Sequence, residues 1–331
     1  MNLENHPGVI AYKRNVKICK IKNVTRQWIK DLVLEAGADD VGVVEIDRFE
    51  VSGQKKGILE ALPNAKTLIS FIRRMNPAQF RSTDRSLADG EFIALDGEMF
   101  HISRKVARIL RKNGIEAVTP SEGFPQDMAK PRHERITVSH KPVAAAAGLG
   151  HMGHHRILIH PVFGSHICLG TVIIDTELDS YDAPLDYNPC LSCNLCVAVC
   201  PTGAICKDGS FNFMQCLVHA YRDRLGGFLR WVEALVTSGT MEEYRKMRDD
   251  NETMAVWQSL TYGGGYRCGY CMSICPAGTD VMGAYIDDRK AYMKTIVTPL
   301  IERKENVIVL PGTDSVERIG NHFPNKTAKP M

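Results

Sequence analysis

No uninterrupted apolar run in the chain is long enough to cross a bilayer, and there is no low-complexity segment. Internal repeats are missing too, apart from two cysteine motifs. So is an excess of one charge: 41 basic against 38 acidic residues leave a formal +3, and no strong field favours or excludes nucleic acid. The opening stretch "MNLENHPGVIAYKRNVKICK" has neither an apolar h-region nor a twin arginine. No export signal is legible there, so the expected address is cytoplasmic and no membrane partner is expected. In a reducing compartment disulfides are not the expected use of eleven cysteines, which leaves metal. What is present is the mix of a soluble globular protein, 44% hydrophobic and 24% charged. At 331 residues it is too long for a bare ferredoxin and long enough for two domains.

Val24, Trp28, Ile29, Leu32 and Ala36 recur at helical spacing, with Asn23 placed to cap that helix and Gly37 to stop it. "VGVVEI" (41–46) and "TLISFI" (67–72) read as buried strands, with a short helix and turn at "GILEALPNAK" between them. Ile102, Val106, Ile109 and Leu110 mark one face of a helix ending near Gly114, followed by a strand at 115–118. "VIID" (172–175) is the last strong strand before the cysteines. This alternation predicts an α/β domain over residues 1–185. A cysteine-punctuated domain follows over 186–279, with a helical insertion in which Thr240 and Glu243 have the form of a capping box. Residues 280–331 are expected to form a helix, a strand at "VIVL" and a tail, packing back on the first domain.

"CLSCNLCVAVCPTGAI" (190–205) carries four cysteines in C-x2-C-x2-C-x3-C-P order. Thiolates are soft ligands, and in bacterial two-cluster ferredoxins the fourth cysteine of this run serves the other cluster. "CGYCMSICP" supplies Cys268, Cys271 and Cys275 and is one ligand short; Cys216 fills the gap. The spacing therefore assigns Cys190, Cys193, Cys196 and Cys275 to one [4Fe-4S] cluster. Cys200, Cys216, Cys268 and Cys271 fall to the other. Cys206 competes with Cys216, but its place just after "PTGAI" marks it as a spare. Cys19 and Cys168 read as small buried apolar residues. A pair of zinc sites is the alternative, although zinc favours two separated C-x2-C hooks. Two clusters with crossed ligands form a short electron wire, which calls for an acceptor in the domain before it.

The candidate acceptor site is "HKPVAAAAGLGHMGHHRILIHPVFGSHICLGTVIID" (140–175). Gly148, Gly150 and Gly153 permit close backbone approach and are expected to leave amides free for anionic or amide-bearing ligands. No strand immediately precedes the glycines, so this is not a dinucleotide-binding fingerprint. His151, His154, His155 and His160 lack carboxylate or cysteine partners at ligand spacing, so hydrogen-bonding and packing roles are at least as plausible as a metal site.

With the cysteine run directly after it, this stretch resembles the corrinoid-dependent iron–sulfur reductases, which comprise the epoxyqueuosine reductases and the reductive dehalogenases. "WIKDLVLEAGADDVGVVEI" resembles the N-terminal helix and strand of both branches. The resemblance covers roughly residues 24–277, and residues 141–205 carry most of it. It implies a nitroreductase-like α/β domain, of α+β type, holding base-off cobalamin beside a ferredoxin-like domain with two [4Fe-4S] clusters. Gly148, Gly150, His151, Gly153, His154, His155, Gly164 and Ser165 would face the corrinoid. An external low-potential donor such as ferredoxin or flavodoxin would supply electrons.

The departures mark a side branch. The acidic proton donor of the epoxyqueuosine branch corresponds to Glu134 in "KPRHERITVSHKP", and that branch's Tyr-His pair corresponds to Phe100-His101. No phenol donor is evident, so His101 is a substitute, with Arg132, His133 or Arg135 able to hold an anionic group. A solvated basic loop is the plainer reading of "KPRHER". The acidic second motif and the Trp-Asn after the last Cys-Pro are absent. The first expectation is a reductive dehalogenase-like enzyme acting on a small organic molecule. The second is an epoxyqueuosine reductase-like enzyme acting on tRNA, to which "RRMNPAQFRSTDR" (73–85) could lend charge, although an exposed loop is its simpler reading. The third is an electron-transfer or activator protein with no substrate of its own.

Overall fold

The computed structural model describes residues 3–15, 21, 23–121, 123–131 and 134–331. The chain divides into two compact units, each assembled from separated segments. The first takes residues 1–73, 98–149 and 169–184; the second takes 74–97, 150–168 and 185–331.

The first unit is built on a four-stranded sheet of order β1-β2-β6-β3. Its strands are β1 (Asp40–Glu45), β2 (Thr67–Arg74), β3 (Ala117–Val118) and β6 (Ile167–Ile174). β1 runs antiparallel to β2, pairing Val43 with Ile69, and β3 runs antiparallel to β6. Antiparallel pairing makes this the α+β variant of the predicted class. β1 and β2 are buried at nearly every position, as expected for strands covered on both faces. The helix Arg26–Ala36 buries Ile29, Leu32 and Val33 and stops at Gly37, whose φ of 119° is left-handed. Its cap is Thr25 rather than Asn23: Thr25 Oγ1 accepts from Trp28 N at 3.2 Å. Val44, Ile58, Leu68, Val143 and Ile173 share the core. Gly42 is required there, because a Cβ at that position would lie 2.2 Å from the Ala147 carbonyl oxygen.

The second unit holds the cysteine segments, with short helices at Leu195–Val199, Phe213–Ala220 and Tyr270–Ser273. The insertion forms helices Leu225–Thr237, Met241–Met247 and Asp250–Tyr262. Thr240 Oγ1 accepts from Glu243 N at 3.2 Å, while the Glu243 carboxylate takes the Gly239 amide, one residue before the expected one. The fully reciprocal capping box lies further on, between Asp249 and Glu252. β4 (His151–Met152) and β5 (Leu158–Ile159) form a small antiparallel hairpin. β7 (Glu305–Val309) pairs in parallel with β8 (Lys326–Pro330), across the helix Ser315–His322.

Two expectations change. Residues 280–331 belong to the cysteine-bearing unit, because β7 and β8 deliver Glu305 and Lys326 to the phenols of Tyr266 and Tyr270 in that unit. The arginine-rich stretch is not an exposed loop. Phe80 is fully buried within the helix Pro77–Arg81, and Arg85 is only 2% exposed.

Candidate functional site

Cys190, Cys193, Cys196 and Cys275 line one cavity, together with His154, His155 and Asn194. Burial pushes the Cys196 thiol up to about 12, and the neighbouring thiols of Cys275, Cys193 and Cys190 push in the same direction. Cys275 is raised to about 11 by burial, with Cys193 and Cys190 adding to the rise. Here Ser165 acts oppositely: its buried hydroxyl beside Cys275 favours the thiolate, and it has no conventional hydrogen-bond partner among the described residues.

The second set is crowded in the same way. Burial raises Cys268 to about 12, with Cys200 and Cys216 contributing, and raises Cys271 well above its usual range, with Cys216, Cys268 and Cys200 adding. The neighbours fall into two groups, Cys190, Cys193, Cys196 and Cys275 in one and Cys200, Cys216, Cys268 and Cys271 in the other. Cys196 also acts on Cys271, so the sets adjoin. Each C-x2-C step contains a left-handed residue that turns the chain: Ser192 at φ 50°, Asn194 at φ 58° and Gly269 at φ 54°. Cys206 stands apart, its thiol directed to the Gly203 carbonyl oxygen at 3.9 Å.

Among the described residues no group of three or more His, Cys, Asp or Glu converges as tightly as a single metal ion requires. Thiols gathered around a shared space rather than a point suit a cube of iron and sulfide. Held this far above neutral pH, they ionise only if a cation pays for their charge, which iron supplies. The donor set therefore fits [4Fe-4S] clusters.

Two buried residues hold the second hook. Arg85 Nη2 donates to the Cys268 carbonyl oxygen at 2.7 Å and Nε to that of Arg267 at 3.0 Å; Nη1 reaches Phe80 O and Ser82 O. Glu305 accepts from Tyr270 Oη at 2.6 Å, Tyr266 Oη at 2.8 Å and Lys326 Nζ at 2.7 Å. Burial would raise the Glu305 carboxyl, but His219 and Lys326 outweigh it and hold it near about 2.

The glycine loop differs from its expected role as a set of free amides. In the second unit Gly153 N donates to Ile157 O at 2.9 Å and Gly164 N to His160 O at 2.9 Å. Gly150 and Gly164 serve close backbone approach, since a Cβ would lie 2.4 Å from the Ile159 oxygen and 2.0 Å from the Ala277 oxygen respectively. His154 Nε2 bonds Cys206 O at 2.6 Å, His155 Nδ1 accepts from Ile157 N at 3.2 Å, and His151 is exposed. In the first unit Gly148, at φ 75°, donates to Ala145 O at 3.1 Å. Turn closure inside the protein consumes these donors.

Of the catalytic candidates, Glu134 is part-exposed in the first unit and pairs with Lys56 Nζ at 3.7 Å. His101 is exposed in the helix Arg85–Lys112, edge-on to Phe100 with ring centroids 6.2 Å apart. Arg135 Nε is spent on the Lys130 carbonyl oxygen at 3.1 Å. Arg132, His133 and Cys19 lie outside the described residues. Sequence reading missed Glu305 and Arg85 as supports of the second cysteine hook. The charged character of "RRMNPAQFRSTDR" was a visible signal, but it points inward.

No protein-family model matches the chain. The epoxyqueuosine reductase of Lactococcus garvieae (strain Lg2) is 28% identical over 220 residues, covering 65% of this chain and 53% of the relative. That of Staphylococcus aureus (strain NCTC 8325 / PS 47) is 27% identical over 277 residues, covering 76% and 64%. The chain spans about half the length of the first of these (53%). Among solved structures, the catabolic reductive dehalogenase NpRdhA matches with a TM-score of 0.51 at 19% identity, over 82% of this chain and 34% of that one. The latter likeness is one of fold.

Proposed function

We propose that the chain, which resembles the epoxyqueuosine reductases in sequence, carries two [4Fe-4S] clusters feeding a base-off cobalamin. We further propose that its reaction follows the epoxyqueuosine-reductase pattern, acting on a modified base in tRNA. The relatives by sequence favour that pattern over carbon–halogen cleavage. The observation that supports the reading is the crowding of buried thiols, Cys196 with Cys190, Cys193 and Cys275, and Cys271 with Cys200, Cys216 and Cys268.

Cys190, Cys193, Cys196 and Cys275 hold the first cluster, and Cys200, Cys216, Cys268 and Cys271 the second. Cobalamin, when bound, supplies low-valent cobalt chemistry that carries electrons to the substrate. Converting an epoxide to an alkene takes two electrons and two protons and releases water. The protein's share is therefore electron delivery, proton supply and a dry pocket. Glu134 carries the carboxyl that corresponds to the proton donor of the branch, and Lys56 sits beside it. With phenylalanine at position 100, a phenol takes no part there. Electrons enter from an external low-potential carrier of the ferredoxin or flavodoxin kind.

The test is anaerobic reconstitution, with iron and sulfide counted per chain and the spectrum followed on adding cob(II)alamin. Epoxyqueuosine-containing tRNA and a brominated phenol are then offered in parallel with a chemical reductant. Conversion of the tRNA with salt-sensitive binding supports the reading. Turnover of the phenol alone transfers the chain to the dehalogenase side. Clusters without corrinoid uptake make it an electron-transfer protein.

A further inference from the structure

Beside the first cysteine set lies a group of buried polar atoms without conventional hydrogen-bond partners among the described residues. Arg81 Nε and Nη2, both ring nitrogens of His166 and Ser165 Oγ have no hydrogen-bond partner among the described residues. His166 is 1% exposed and Ser165 fully buried. Arg81 is part-buried, and cationic N–H groups held out of water cost free energy unless an acceptor meets them. Among the described residues no conventional acceptor meets Arg81 Nε or Nη2.

The surroundings of Arg81 say where that acceptor belongs. Its helix, Pro77–Arg81, packs on Tyr270–Ser273, which carries Cys271 and leads into Ile274 and Cys275. Its guanidinium carbon lies 5.8 Å from the ring centroid of Tyr292. Tyr292, 1% exposed, donates from Oη to the Ile274 carbonyl oxygen at 3.0 Å, on the residue before Cys275. Tyr292 feels the charges of Arg81, Cys275 and Cys193 together, and His166 that of Arg81. Ser165 borders Cys275 as well.

Resting on the two-cluster reading, the geometry points to Arg81, with Ser165, as the residues that raise the reduction potential of the first cluster. They would do so by directing a fixed positive charge and an O–H donor toward its sulfurs. The cluster gains one electron in passing from the 2+ to the 1+ state, so a nearby cation and hydrogen bonds to sulfur favour the reduced form. Electrons arriving from the second cluster would then settle on the first. Arg81 and Ser165 act through the cluster and are positioning residues, not catalytic ones.

The experiment titrates the reconstituted full chain with dithionite while electron paramagnetic resonance follows each reduced cluster, with iron and sulfide counted beforehand. In Arg81→Met the reduction equilibrium of one cluster should become about tenfold less favourable. For a one-electron couple that is a midpoint about 59 mV more negative. The other cluster should stay where it is, and Arg81→Lys should recover most of the shift. If Arg81→Met loses iron, Ser165→Ala, which removes a single oxygen, must shift one midpoint in the same direction. Two clusters with unmoved potentials in either variant overturn the inference and leave the donors to water. A wild-type protein that takes up no iron–sulfur clusters overturns the underlying reading instead, which the iron count tells apart.

Discussion

The Arg85 guanidinium donates to the carbonyl oxygen of Cys268 at 2.7 Å, joining residues 183 positions apart in sequence. Arg85 is 2% exposed and reaches carbonyls on both sides of the joint. The second cysteine hook is therefore held in place through its backbone before any metal arrives. Arg85→Met should leave unpaired carbonyls at the hook and destabilise the protein by about 2–3 kcal/mol. Urea unfolding of the unreconstituted chain measures this, and a midpoint within error of wild type would mean that the pin is dispensable.

Removing one thiol from either set should cost a cluster. Cys196→Ala and Cys271→Ala are each expected to hold clearly less iron and sulfide than wild type and to unfold more readily, because the ligands crosslink distant segments. Cys206→Ser should keep the full complement, since its thiol faces Gly203. Equal iron in all three variants would contradict the assignment.

Glu305 is the shared acceptor for two phenols and an ammonium, with Lys326 fully buried. Glu305→Gln leaves that ammonium without a counter-charge, so a loss of about 3 kcal/mol is expected, as for other broken buried pairs. Adding Lys326→Met to the same chain should return part of it. A double variant no more stable than Glu305→Gln alone would show that the pair is not the source.

Acid should weaken the fold over a window set by buried imidazoles. Burial lowers His219 and His166 to about 3 and lowers His140 as well. Unfolded histidines protonate near ~6.5, so below that pH the unfolded chain takes up protons first. Stability contributed by these groups is complete above about pH 6.5 and falls as the pH drops toward about 3. Glu305 has the same sign lower down: its folded value near about 2 means that its contribution is lost below the unfolded range of ~4.3. Denaturation midpoints at pH 7.5 and 5.5 should differ accordingly; a flat profile would count against neutral buried rings.

Glu134→Gln should leave iron content and corrinoid uptake unchanged while slowing turnover at least about tenfold, the scale of a lost general acid. Single-turnover rates with the preferred substrate decide this. An unaltered rate would remove Glu134 from proton delivery.

The proposed cysteine sets were legible because most of their members come in hooks whose spacing is set by local chain geometry, with Cys200, Cys216 and Cys275 joining from elsewhere in the sequence. The strands β1, β2 and β6 were visible as dense apolar runs. β8 was not: "KTAKP" carries two lysines and a proline, and it becomes a strand only by pairing with β7. The roles of Arg85 and Glu305 were hidden for a similar reason. Charge in a sequence suggests solvent, and only the tertiary arrangement shows that these groups meet carbonyls, phenols and an ammonium indoors. Close approach does occur at Gly148 and Gly150, but what approaches is the protein's own backbone, the carbonyl oxygens of Ala183 and Ile159.

The parallel pairing of β7 with β8 bears on how the protein matures. Tyr270, next to Cys271, leans on Glu305, and Glu305 is neutralised by Lys326. A nascent polypeptide that has already emerged with every cysteine would still lack this buttress until residue 326 is out. Full support of the second hook should therefore come only after translation has passed the last cysteine by some fifty residues, about the distance from Cys275 to Lys326.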